Sequence, residues 1–283
     1  PPILLETETF DPKYSPDGKE VAFLEERTTL RVINLASKKV RTIVPGNRNY
    51  SYSDGDQYYD WSPDGKWFLV DFLPPKKWTG EVGLVSSQGG KIHNLTQSGY
   101  SDGGGTWAMG GKMIIYYTDR QGMRSQASWG SQTDVYAMFF TKDAYDKFRL
   151  SKEDYELQKE MEKDAKKAQK KGDKKGKKDA KKKGKGSKVK PIKIELDGIR
   201  DRKARLTIHS STLSSALVSK DGKKLYYTAR FEKGFNLWVT DLRTKSTRIL
   251  AKLNSNWGGM AWDKGQKNIY MISSGRISKI NPK

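Results

Sequence analysis

The sequence predicts an all-β fold, a propeller of four-stranded antiparallel blades, and three observations carry that prediction. The first is a repeated turn. Tyr14-Ser15-Pro16-Asp17-Gly18-Lys19 precedes the apolar run Val21 to Leu24, and Trp61-Ser62-Pro63-Asp64-Gly65-Lys66 precedes Trp67 to Val70. Weaker copies stand at Trp107 to Lys112, Val218 to Lys223 and Trp262 to Lys267, each followed by a β-rich run. The second is the spacing. Ser15, Ser62, Ala108, Ser219 and Asp263 follow one another at 47, 46, 111 and 44 residues, and about 40 to 45 residues is the length of one blade. The third is composition: 27 glycines, 14 tyrosines and 8 tryptophans, with almost no apolar pattern of helical period.

Each element follows from the turn chemistry. Proline sets φ at the second turn position, aspartate accepts local backbone N–H groups, and glycine takes the positive φ that closes a hairpin. The repeated turn therefore joins strands one and two of each unit. A third strand follows, as at Leu30–Leu35, Glu81–Val85 and Asn236–Leu242, and then a fourth, as at Lys39–Ile43, Lys91–Leu95 and Thr247–Leu250. The units fall near 10–45, 58–97, 105–208, 213–251 and 257–283, within one propeller spanning 1–283.

The long interval holds one blade and an insertion over 143–190, between a third strand at Thr133–Phe140 and a return that begins at Ile192–Leu196. Ser151 with Asp154 three residues on predicts a capped helix, and Glu162 to Lys166 is a favourable i to i+4 pair. The helix should dissolve after about Lys170, where nothing apolar remains to bury. The last unit ends after its third strand, Arg276–Ile280, and Ile3–Thr7 is a strand without a unit. Either these ends pair, or both are edges of a longer ring; the second is the expectation adopted.

The net charge of +21 is concentrated. Residues 163–190 carry fifteen lysines against three aspartates, a net +12, which leaves +9 for the remainder. The tract has no aromatic residue to stack on bases, so it is expected to be a solvated tether rather than a nucleic-acid site. No stretch approaches the roughly 18 to 20 apolar residues of a membrane span. There is no cysteine, so disulfides, thiolate nucleophiles and Cys-based zinc sites are excluded. The start lacks Met and a signal-like leader, which points to a mature or excised chain.

No catalytic centre, cofactor site or metal site is expected. His93 and His209 lie near repeat edges, and the sequence holds no G-x-S-x-G elbow, P-loop or H-E-x-x-H. Asp54, Asp56 and Asp60 lack the rest of a calcium loop, and Gly103-Gly104-Gly105 is expected to relieve crowding in an inner strand rather than to hold an anion. Strand direction alternates, so the Ser-Pro-Asp-Gly hairpins share one face of the ring. The opposite face carries Arg27, Trp78, Arg120, Trp129 and Arg230 between strands two and three, and Tyr100 and Trp257 between units. Arginine and aromatic residues dominate binding hot spots, so these seven are the candidate residues facing a peptide or partner protein.

The repeated units resemble the propellers of TolB, of prolyl-oligopeptidase-type enzymes and of tricorn proteases. More narrowly, Leu196-Asp197-Gly198-Ile199-Arg200-Asp201-Arg202 resembles the L-D-G-I-x-x-R segment of tricorn-like peptidases, as does Ser128-Trp129-Gly130-Ser131 before Asp134-Val135-Tyr136. The lysine-rich insertion departs from that pattern. The resemblance implies a non-catalytic propeller of a serine peptidase, acting in peptide access, gating or assembly, with PDZ and peptidase domains downstream in the parent chain and oligomers formed through it. It implies a periplasmic or exported bacterial protein, with the cytoplasm as the alternative. A TolB-like interaction module of the cell envelope is the competing reading.

Overall fold

The computed structural model describes residues 7–54, 56–124, 131–173, 191–231, 234–256 and 258–282. It is a β-propeller of five blades. Blade one is β1 (Thr9–Tyr14), β2 (Glu20–Glu25), β3 (Thr29–Asn34) and β4 (Val40–Val44). Blade two is β5 (Tyr59–Trp61), β6 (Trp67–Phe72), β7 (Glu81–Ser86) and β8 (His93–Asn94). Blade three is β9 (Asp102–Ala108), β10 (Met113–Thr118), β11 (Asp134–Phe139) and β12 (Lys203–Arg205). Blade four is β13 (Thr212–Val218), β14 (Lys224–Arg230), β15 (Phe235–Asp241) and β16 (Thr247–Ser255). Blade five has three described strands, β17 (Gly259–Trp262), β18 (Ile269–Ser273) and β19 (Arg276–Ile280).

The repeated turn works as its residues predict, with serine as an added part. Gly18, Gly65 and Gly222 have φ of 71°, 69° and 72°. Ser15 Oγ donates to Asp17 at 2.8 Å and accepts from the Glu20 N–H at 3.0 Å. Ser62 and Ser219 repeat this with Asp64 and Asp221. Two of the aromatics before the turn clasp blades together: Trp61 Nε1 donates to the Lys13 carbonyl and Trp262 Nε1 to the Val218 carbonyl, both at 3.1 Å.

The core lies between blades, because each strand alternates its side chains towards the two neighbouring sheets. In β14, Leu225, Tyr227 and Ala229 pack towards blade three, and Tyr226 packs towards blade five. Every consecutive pair of blades shares such a cluster. In blade five, Ile269 and Met271 are buried but Tyr270, Ile272 and Ile277 are exposed, Ile277 at 76%. The N-terminal Ile3–Thr7 strand lies, but for Thr7, outside the described residues.

The insertion differs from expectation in its return. Ile192–Leu196 forms no strand; the fourth strand of blade three is the short β12, paired with β11 through Tyr136–Arg205, Ala137–Ala204 and Met138–Lys203. The intervening segment is fastened instead. Ile192 N–H donates to Asp64 of the neighbouring hairpin at 2.8 Å, and Glu195 N–H donates to the Phe140 carbonyl at 2.9 Å. Gly198 sits at φ 63°, Ile199 is buried, and Arg202 donates to the carbonyls of Phe139 (3.1 Å), Asp197 (2.7 Å) and Glu195. Three carbonyls that no ladder satisfies are thus held by one guanidinium.

Two helices form in the insertion, α1 (Lys142–Arg149) and α2 (Lys152–Asp173). α2 therefore runs slightly past Lys170. Thr141 Oγ1 caps α1 by accepting from the Ala144 N–H, and Ser151 Oγ accepts from the Asp154 N–H at 3.0 Å ahead of α2. Glu162 meets Lys147 of α1, a contact between helices that local spacing does not reveal. Phe148 and Tyr145 pack on Phe139, and the Arg243 guanidinium lies 3.7 Å from the Tyr155 ring centroid. The insertion therefore docks on the hairpin face beside blades three and four. Most of the lysine tract, residues 174–190, lies outside the described residues.

Candidate interaction face

Strand alternation puts the candidate loops on the face opposite the hairpins. Arg27 is in the β2–β3 turn, Trp78 between β6 and β7, Tyr100 between β8 and β9, Arg120 between β10 and β11, and Arg230 ends β14. Trp129 and Trp257 lie outside the described residues.

Two groups form from this set. In the first, Trp78 is 84% exposed and meets Tyr50 edge-on at 6.3 Å between centroids; Tyr50 meets Tyr52 at 4.8 Å. Arg27 joins that loop through an ion pair of Nε with Asp54 at 2.7 Å. The Tyr52 and Ser53 N–H groups donate to Asp56, and Gln57 donates to the Tyr50 carbonyl, so the loop is internally braced. Tyr50 and Tyr52 were not among the expected residues. Their signal was two aromatics in a Ser/Asp-rich connection, where no strand alternation calls for them.

In the second group the Arg120 and Arg124 guanidiniums lie against the Tyr100 ring, at 5.3 Å and 4.9 Å from its centroid. Arg124 also escaped the sequence. The groups adjoin, because Asp102 N–H donates to the Gly80 carbonyl at 3.0 Å and so ties the Tyr100 connection to the Trp78 loop. Arg230 stands apart, over the Phe235 ring at 5.7 Å, covering its own blade.

Behind this face lie buried acids. Glu81 accepts from Thr96 Oγ1 and from the Ser98 and Gly99 N–H groups, while Ser98 Oγ donates to Asp102. Burial, then the Ser98 and Thr118 hydroxyls acting against it and the Glu81 charge with it, leaves the Asp102 carboxyl above its ordinary range. Gly104 N–H donates to both oxygens of Asp71, at 3.0 and 2.9 Å, and a Cβ on Gly103 would come within 2.8 Å of that carboxylate. The glycine run thus admits the Asp71 side chain to the backbone, which is the crowding role expected of it. Asp54 is spent on Arg27 and Asp56 on its own loop. Among the described residues no three His, Asp or Glu side chains are grouped to hold a metal ion.

Burial pushes the Asp71 carboxyl up to about 7 and, against the nearby Lys13 charge, that of Asp60 to about 6. A native state with raised carboxyl pKa keeps protons that the unfolded chain releases from about pH 4. The contribution of these two groups is therefore full below about pH 4 and is lost as pH rises towards 7. Asp17 and Glu20 are shifted downward, the former chiefly by Ser15 and the latter by Arg41, and slope the other way. The Asp71→Asn variant should thus gain in melting temperature relative to wild type between pH 4.5 and 7.5. A difference that stays constant across that range would remove Asp71 from the account.

No protein-family profile matches the chain, and no curated protein matches it. Its fold defines it as a β-propeller of the kind built into TolB and into large peptidases. The tricorn protease superposes with a TM-score of 0.59 at 10% identity, over 97% of this chain and 27% of that one. A protein assigned as TolB from Agrobacterium tumefaciens gives 0.55 at 14%, over 98% and 78%. A chain from a study of two prolyl endopeptidases gives 0.53 at 12%, over 98% and 34%. At such identities the shared property is the fold. No helix among the described residues is long and apolar enough to cross a membrane.

Proposed function

We propose that this chain is the non-catalytic propeller of a tricorn-like serine peptidase, and that it receives peptide or a partner domain on the face bearing Trp78. The observation that carries the reading is the exposed Tyr50–Tyr52–Trp78 group, since no blade requires these rings for its core. Large aromatic area on a braced loop costs little ordering on binding. In this reading PDZ and peptidase domains of the same polypeptide perform the hydrolysis, in an exported or periplasmic setting. The tricorn and prolyl endopeptidase propellers, which are parts of longer chains, support it. A TolB-like envelope module is the second reading, supported by the Agrobacterium tumefaciens structure.

The test is anisotropy of fluorescein-labelled apolar hexapeptides titrated with the chain. Trp78→Ala should weaken binding by at least about 1 kcal/mol, with an unchanged melting temperature because the ring lies outside the core. Unchanged binding in Trp78→Ala and Tyr52→Ala, with weakening at Lys19→Ala or Lys66→Ala, would place the interface on the hairpin face instead.

A further inference from the structure

We infer that the cleft between the helical insertion and the hairpins of blades three and four binds a small phosphorylated molecule, a hydroxyl-bearing phosphate ester of nucleotide size. The site stands apart from the Trp78 face and does not depend on what binds there.

The cleft exists because the insertion packs over two turns that touch. Met109 of the β9–β10 turn lies so close to Gly222 of the β13–β14 turn that a Cβ on Gly222 would come within 2.5 Å of its sulfur. Phe148 of α1 with Tyr155 and Gln158 of α2 closes the other side, leaving a space of about 780 Å³. That is within the roughly 300 to 1,000 Å³ of small-molecule sites, and more than an inorganic ion fills. The blade-three turn is also chemically incomplete. In the other four turns a side chain serves the N–H of the closing lysine: Asp17 for Lys19, Ser62 and Asp64 for Lys66, Ser219 and Asp221 for Lys223, and Asp263 for Lys267. Here Ala108 and Gly110 stand where the strong copies have serine and aspartate, so among the described residues the Lys112 N–H has no side-chain acceptor.

The charge left open in the cleft is positive. Lys112 and Lys220 line it, and among the described residues neither has an ion pair. The acids on its wall are engaged: Glu162 with Lys147, Asp221 with the Ser219 hydroxyl and the Lys223 N–H, and Asp143 beside the charge of Lys193. Two polar atoms of the lining residues are buried without a partner, the donor Arg243 Nε and the acceptor Gln158 Oε1. Both Nη groups of Arg243 are spent on the carbonyls of Lys147, Phe148 and Leu150, so its fork is closed to a carboxylate. Lysine point charges and single N–H donors suit the several oxygens of a phosphate, and Gln158 would accept from a hydroxyl of the same ligand.

The full chain should be titrated by calorimetry with AMP, adenosine and inorganic phosphate. Wild type is expected to bind AMP at one saturable site, at least about tenfold more tightly than adenosine, the size of one charge-assisted bond. Lys112→Met with Lys220→Met should lose at least about tenfold in AMP affinity. Gly110→Asp should lose as much, because it sets a carboxylate in open space at a φ of 65°, which aspartate tolerates. Lys19→Met with Lys66→Met removes the same charge from two other turns and controls for general attraction of phosphate to the lysine tract; it should stay within about twofold of wild type, since distant charges are screened. Displacement of AMP by inorganic phosphate only at higher concentration supports an ester as the ligand, whereas equal affinity would overturn the ester and leave a site for the free ion. Equal binding of AMP and adenosine, absence of binding, or a control pair that weakens AMP as much as the cleft pair would overturn the site.

Discussion

Leu237→Ala is expected to destabilise the chain by about 2 to 5 kcal/mol, the usual cost of emptying a buried leucine site, whereas Ile277→Ala should change stability by no more than about 0.5 kcal/mol. The two residues hold the same place in successive repeats. Leu237 pairs with Thr228 and Ile277 with Ile272, and both project from the third strand towards the side where a following blade packs. Leu237 is fully buried against blade five, in a cluster with Tyr226, Val239 and Ile269; Ile277 is 76% exposed. Urea midpoints of the two variants check the contrast. A loss at Ile277 as large as that at Leu237 would mean that the outer face of blade five is covered in solution.

Arg202→Met is the second large effect, expected at about 3 kcal/mol or more, since charge-assisted bonds contribute about 1.5 to 3 kcal/mol each and their loss strands the buried Phe139 carbonyl. For a domain of this size that corresponds to a fall in melting temperature of roughly 6 to 12 °C. Arg202→Lys should recover only part of it, because an ammonium cannot fork to carbonyls on Phe139, Glu195 and Asp197 at once. Peptide affinity on the Trp78 face should not follow, as the clamp acts on the return from the insertion. A melting temperature within about 2 °C of wild type would show that backbone contacts alone secure that segment.

This clamp gives the L-D-G-I-x-x-R segment a physical meaning. Gly198 supplies a left-handed turn, Ile199 fills the core between blades two and three, and Arg202 ties three carbonyls. The segment's most specific residues therefore fasten blade three.

The sequence by itself determined the blades. The Ser-Pro-Asp-Gly turn acts through bonds spanning five residues or fewer, so its hairpins were legible without tertiary information, as were strand alternation and the face assigned to each loop. It also placed Trp78, Tyr100 and Arg120 in connections on the face opposite the hairpins. Only the tertiary structure decided which of them meet. Tyr50 reaches Trp78 across some 28 residues, Arg120 and Arg124 converge on Tyr100 from the next blade, and Arg230 turns away onto Phe235. The same holds for the insertion. Its caps are local, but its return is held by Arg202 and Asp64 instead of the strand expected at Ile192–Leu196. The reason is range: turns and caps close on near neighbours, while loop tips and segment returns are placed by contacts between blades, whose partners no local pattern encodes.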